Sequence, residues 1–95
     1  MSNQKYKIEI YSKDNCTYCT AAKRLLEEAG YFYTEYKIEA TGDERLRLME
    51  ELSKRLGQAP RTVPQIFIND EAIGGFTQLK LRLIGMQPKD VWGAI

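Results

Sequence analysis

Between Tyr6 and Ile38 the hydrophobic pattern changes period twice, and that switch restricts the chain to few architectures. Tyr6, Ile8 and Ile10 alternate with Lys7 and Glu9, the period of two expected of a strand that ends near Tyr11-Ser12. Lys13-Asp14-Asn15 reads as a loop. From Cys19 onward, Ala22, Leu25, Leu26 and Ala29 recur at helical spacing with Lys23, Arg24, Glu27 and Glu28 opposite, and Gly30 stops an amphipathic helix of about three turns. Tyr31 to Ile38, rich in aromatic and β-branched residues, reads as a second strand. Residues 6–38 therefore predict a parallel, right-handed βαβ unit.

Downstream, Thr41-Gly42-Asp43-Glu44 supplies a turn and acidic first-turn residues for a second helix. Its buried stripe is Leu48, Met49, Leu52 and Leu56, and Gly57 ends it. Ile66-Phe67-Ile68 and Ala72-Ile73 flank Asn69-Asp70 as a tight hairpin, broken by Gly74-Gly75. Phe76 to Ile84 predicts a third helix stopped by Gly85, with Leu79, Leu83 and Trp92 as core, and Pro88 opens a short turn carrying Val91 and Trp92.

The chain's two cysteines lie in Cys16-Thr17-Tyr18-Cys19, where the first strand gives way to the first helix. Residues i and i+3 share a helix face, so the two sulfurs can close a small disulfide with little backbone movement. The first sulfur lies over unpaired N–H groups at the positive end of the helix dipole, which favours thiolate and makes Cys16 the nucleophile. Without histidine or a second cysteine pair, one chain cannot assemble four zinc ligands. The order β-α-β-α-β-β-α with this motif opening the first helix gives a thioredoxin-like α/β fold, a four-stranded mixed sheet flanked by helices, in a single domain over residues 1–95. One feature cuts against it: the first strand alternates, although a central strand is expected to be apolar on both faces.

With 14 Lys+Arg against 13 Asp+Glu, the charge of +1 argues against nucleic-acid binding through phosphate neutralisation. The apolar runs are short and Met1-Ser2-Asn3-Gln4-Lys5 has no signal-peptide core, so a cytoplasmic address is expected and no membrane association. There the CxxC pair would cycle rather than serve as a structural disulfide. Lys5, Lys7, Lys23 and Arg24 read as solvated faces.

Tyr11-Ser12-Lys13 ahead of Cys16-Thr17-Tyr18-Cys19, then Thr62-Val63-Pro64, then Gly74-Gly75-Phe76-Thr77, resemble the blocks of a dithiol glutaredoxin over nearly the whole chain, as a CTYC variant. The resemblance implies a glutathione-dependent thiol–disulfide oxidoreductase of the thioredoxin superfamily, with Cys16 attacking and Cys19 resolving. It also implies a cis Val63–Pro64 bond. Such a bond would present the Val63 backbone beside Cys16 as an edge for the cysteinyl unit of glutathione. Gly75 would let the chain approach a ligand closely, and the N–H groups of Phe76 and Thr77 would meet the γ-glutamyl carboxylate at a helix N-terminus. Lys13 would add positive charge, Tyr18 would act as a lid, Arg61 is the candidate partner of the glycyl carboxylate, and Thr62 would line the glutathione site with Val63 and Pro64. Two departures from the family pattern stand out: Thr17 replaces a proline, and Gln78 replaces an acidic residue that would face the glutathione amino group.

On this resemblance, glutathione is co-substrate, no metal is required for the main activity, and glutathionylated or disulfide-bonded proteins are the partners, ribonucleotide reductase among the possible clients. The chain is expected to act as a monomer. The alternative is a binding module in which two chains and two glutathiones share a [2Fe–2S] cluster, a reading that Thr17 favours and Cys19 opposes. Visible absorbance after anaerobic purification would distinguish it.

Overall fold

The computed structural model describes residues 5–86. Its elements are β1 (Ile8–Ser12), α1 (Thr17–Glu28), β2 (Thr34–Lys37), α2 (Asp43–Leu56), β3 (Gln65–Ile68), β4 (Glu71–Gly74) and α3 (Phe76–Met86). The sheet order is β2-β1-β3-β4, with β1 parallel to β2 and antiparallel to β3, and β4 antiparallel to β3. This is the thioredoxin-like arrangement the element order predicts.

Strand parity divides the core in two. Ile8, Ile10, Ile66 and Ile68 form one cluster with Ala22 and Leu26 of α1 and Leu79 of α3. Tyr11 and Phe67 form the other, with Leu48 and Leu52 of α2. The alternation of β1 is resolved by pairing rather than by exposure. Glu9 is only 8% exposed, and its Oε1 lies 2.8 Å from Arg55 Nη2 at the end of α2. Tyr36 Oη donates to Glu9 Oε2 at 3.1 Å, Arg55 Nη1 donates to Tyr11 Oη at 3.0 Å, and the guanidinium stacks 3.9 Å from the Phe67 ring centroid. A central strand thus carries a carboxylate by giving it a cation and one phenol, while a second phenol accepts from the cation.

Three expectations are corrected. The second strand does not begin at Tyr31: it spans only Thr34–Lys37. The backbone N–H groups just before it are used elsewhere, because Gly30 (φ 86°) donates to Glu27 O and Tyr31 to Leu26 O, the paired bonds of a Schellman cap. Tyr31 then packs into the α1/α3 cluster, while Ala29 is the exposed C-cap residue and not part of the buried stripe. The third helix does not stop at Gly85, which lies inside α3. Gly85 is absent from the positive-φ glycines, and a glycine ends a helix only by adopting that left-handed conformation. The turn expected at Pro88, with Val91 and Trp92, lies outside the described residues. The Asn69-Asp70 turn is as expected, both residues being left-handed (φ 52° and 68°), as a two-residue hairpin requires.

Candidate functional site

The loop after β1 delivers Cys16 to the N-cap of α1 in extended geometry (φ −120°, ψ 109°). Its sulfur does what a capping oxygen ordinarily does: Cys19 N–H donates to Cys16 Sγ at 3.1 Å. The sulfur also lies 3.8 Å from the Val63 carbonyl oxygen, to which the thiol donates. Val63 and Pro64 are joined by a cis peptide bond, as the sequence resemblance implied.

The two thiols differ sharply in surroundings. Cys16 is half-buried, whereas Cys19 is 1% exposed. Burial pushes the Cys19 thiol up to about 12, reinforced by its hydrogen bond with Cys16 and opposed by a backbone hydrogen bond at Lys13. A sulfur in the surroundings of Cys19 can meet little except another sulfur carried on Cys16.

Lys13, Arg61, Thr62 and Val63 line one groove of about 610 Å³ beside Cys16. Among the groove residues that sequence reasoning missed are Arg45 and Met49, which lie four apart on one face of α2. Their spacing was visible, but nothing local tied that face to the loop before β3. The remaining predicted residues gather on the other side of Pro64. A Cβ added at Gly75 would lie 3.4 Å from the Pro64 carbonyl oxygen, so the start of α3 runs close beside the cis-proline loop. Phe76 and Thr77 open α3, and the Phe76 ring lies 6.0 Å from that of Tyr18, which is exposed.

Gln78 has a use that was not foreseen. Its Oε1 accepts from Gly75 N–H at 2.9 Å, so the side chain caps its own helix. Truncating it, Gln78→Ala, should lower stability by about 1 kcal/mol, read as a shift of the urea midpoint.

The solvated role expected for Lys23 is also corrected. Its Nζ lies 2.8 Å from Glu35 Oε2, with both side chains 27% exposed. Ser12 Oγ, itself buried, donates to the same Glu35 oxygen at 2.5 Å. Burial tends to raise the Glu35 carboxyl, but the hydrogen bonds from Lys23 and Ser12 outweigh it and hold it below the ordinary carboxylate range. The available sequence signal was the position of Lys23 between Ala22 and Leu26, at the margin of the buried stripe.

Among the described residues, no three His, Cys, Asp or Glu side chains gather where they could hold a metal ion, and no helix is long and apolar enough to cross a membrane.

Residues 8–73 match the glutaredoxin family model. A probable glutaredoxin from Synechocystis sp. is 45% identical over 75 residues, a match that takes in 79% of this chain and 64% of that protein. Among solved structures, glutaredoxin 1 from Francisella tularensis, complexed with cacodylate, superposes with a TM-score of 0.71 at 37% identity, covering 88% of this chain and 99% of that one. A buckwheat glutaredoxin in complex with glutathione gives a TM-score of 0.69 at 26% identity, covering 86% of this chain and 72% of that one.

Proposed function

Because the chain belongs to the glutaredoxin family, we propose that it is a glutathione-dependent thiol–disulfide oxidoreductase acting through Cys16 and Cys19. The observation that carries this reading is the unequal pair at the start of α1, an accessible sulfur capping the helix and a buried one behind it. Cys16 attacks the glutathione sulfur of a protein–glutathione mixed disulfide; the protein leaves as its thiol, and glutathione stays on Cys16. A second glutathione then releases oxidised glutathione and frees Cys16. With a protein disulfide as substrate, Cys16 forms the mixed disulfide with the client and Cys19 resolves it, leaving a Cys16–Cys19 disulfide for glutathione to reduce.

Glutathione fits the two groups of residues flanking Cys16. Its cysteinyl backbone pairs with Val63, next to Pro64, and its γ-glutamyl carboxylate meets the Phe76 and Thr77 N–H groups that open α3. The glycyl carboxylate extends into the groove toward Lys13 and Arg61, with Thr62 at the rim, while Gly75 gives close approach and Tyr18 covers the sulfur. Gln78 meets the glutathione amino group only through the lone pair that Gly75 leaves free. The glutathione bound in the buckwheat relative supports this ligand. A cytoplasmic setting, where glutathione keeps thiols reduced, suits the cycle. The natural client is a glutathionylated or disulfide-bonded protein.

The direct test is glutathione-dependent reduction of a mixed disulfide, coupled to glutathione reductase; no turnover above the uncatalysed rate would overturn the proposal. Lys13→Ala and Thr77→Val should each slow the glutathione step by about tenfold, the second because the Thr77 hydroxyl donates to the γ-glutamyl carboxylate alongside its N–H, and a charge-assisted hydrogen bond contributes roughly 1.5–3 kcal/mol. Their thermal unfolding should stay near that of the parent. Unchanged glutathione kinetics in both would remove these residues from the binding site.

A further inference from the structure

The resolving step requires charge on a sulfur that the fold buries. Cys19 is 1% exposed, and neutral thiol is the form its surroundings favour. One helical turn further along α1, at the i+4 position that shares its face, stands Lys23. Its ammonium is neither free nor fully solvated, being paired with Glu35 on β2, whose Oε2 also accepts from Ser12 at the end of β1. Taking such a pair out of water costs more than leaving a lysine on the surface, so a cation fixed at this depth calls for a reason. Among the described residues, the groups acting on Cys19 include no other half-buried side-chain cation. Cys16 adds a hydrogen bond and charge that oppose ionisation of Cys19, Lys13 acts through its backbone, and α3 contributes apolar Phe76, Leu79 and Leu83 to the cluster it shares with α1. Lys23 acts in the favourable direction, more weakly in the resting thiol than the Lys13 backbone hydrogen bond, and it is the one side-chain charge that does so.

We propose that Lys23, held by Glu35 and Ser12, is a positioning residue for the resolving step, its ammonium stabilising the negative charge that gathers on Cys19 as that sulfur attacks a mixed disulfide on Cys16. The inference rests on the redox function proposed above. In the step, the Cys19 thiol loses its proton to water and its sulfur bonds to Cys16 Sγ. The bond between Cys16 and the glutathione sulfur breaks, and the electron pair leaves on glutathione, which takes up a proton. Cys16 and Cys19 end oxidised as a disulfide, and the departing glutathione ends reduced. Lys23 keeps its own proton throughout. Glu35 fixes the ammonium in place and also neutralises part of its field.

The experiment loads Cys16 with glutathione, using oxidised glutathione on the full chain, and follows glutathione release against pH by rapid quench and mass spectrometry. Lys23→Met should slow release by about tenfold at pH 7 and move the pH–rate profile upward, one pH unit being one decade. Lys23→Arg should restore most of the rate. Glu35→Gln should move the profile the opposite way, because the ammonium then acts on Cys19 without its competing carboxylate. In a Cys19→Ser background, Lys23→Met should leave mixed-disulfide turnover unchanged. The proposal is overturned by a Lys23→Met profile that matches the parent. It is also overturned by shifts of the same sign in Lys23→Met and Glu35→Gln, which would mark a packing effect, or by an equal loss in the Cys19→Ser background. A parent that cannot reduce a mixed disulfide with glutathione would overturn the underlying function, and this inference with it, and is recognised by the coupled assay alone.

Discussion

Serine at position 16 is expected to abolish both reactions, lowering turnover by at least about a thousand-fold, as loss of a covalent nucleophile does in other enzymes. Serine at position 19 should leave reduction of protein–glutathione mixed disulfides largely intact and remove most protein-disulfide reduction. The asymmetry follows from access. The Cys16 sulfur caps α1 and is half-buried, so an incoming disulfide can reach it, whereas Cys19 is buried behind it with its thiol pushed up to about 12. The first reaction needs one accessible sulfur and external glutathione; the second needs an internal sulfur to displace the client. Parallel assays with a glutathionylated peptide and a protein disulfide separate them. If Cys19→Ser were as inactive as Cys16→Ser on the glutathionylated peptide, the division of roles would be wrong.

Breaking the Glu9–Arg55 pair should cost about 3–5 kcal/mol, the range for stripping a buried ion of its partner. Against a typical total of about 5–15 kcal/mol, that is enough to bring the chain close to unfolding. Arg55→Ala also strips the cation from the Phe67 ring and a donor from Tyr11 Oη, so it should be the worse of the two single changes. Replacing both partners together, with Leu at 9 and Met at 55, should recover much of the loss, because no charge is then stranded. The pair also sets a pH dependence. Burial pushes the Glu9 carboxyl up, but the Arg55 and Tyr36 hydrogen bonds together with the Arg55 charge prevail and lower it from its ordinary 4.5. A carboxyl lowered by folding contributes stability above its unfolded value and loses that contribution as the pH falls through its folded value. Stability should therefore fall with acid below about pH 4.5, and less steeply in Glu9→Gln; the slope is flattened only in part, since Glu35 is lowered too. Urea unfolding at several pH values measures it, and a Glu9→Gln curve superimposed on the parent's would show that the pair does not set this dependence.

What the sequence disclosed was local. The period-two pattern of β1, the left-handed Asn69-Asp70 turn and the Gly57 stop each depend on a few neighbouring residues, and each lies where its pattern predicts. Hidden features depend on partners distant in the chain. Glu9 broke the apolar pattern expected of a central strand, and Arg55, 46 positions away, gives no sign of pairing with it. Tyr31 looked like a strand residue because composition cannot show that its N–H caps the preceding helix. The site divides in the same way. Cys16 and Cys19 declare themselves by spacing, while the approach of Val63 to Cys16 spans 47 positions and was expected only through family resemblance. Arg45 belongs to no motif that the sequence displays, and it enters the groove because α2 packs beside the loop that leads into β3.

Among the described residues, the order β2-β1-β3-β4 leaves β2 and β4 as the borders of the sheet. Each is only four residues long: β2 brings Glu35 and Lys37, and β4 opens with Glu71, which pairs with Arg82 at 3.8 Å. Such short, charged borders are poor templates for a strand from another molecule. The more deeply buried strands β1 and β3 are enclosed between them. Partly opened molecules meeting at high concentration during folding therefore find little to zip along, which protects this small sheet from aggregation.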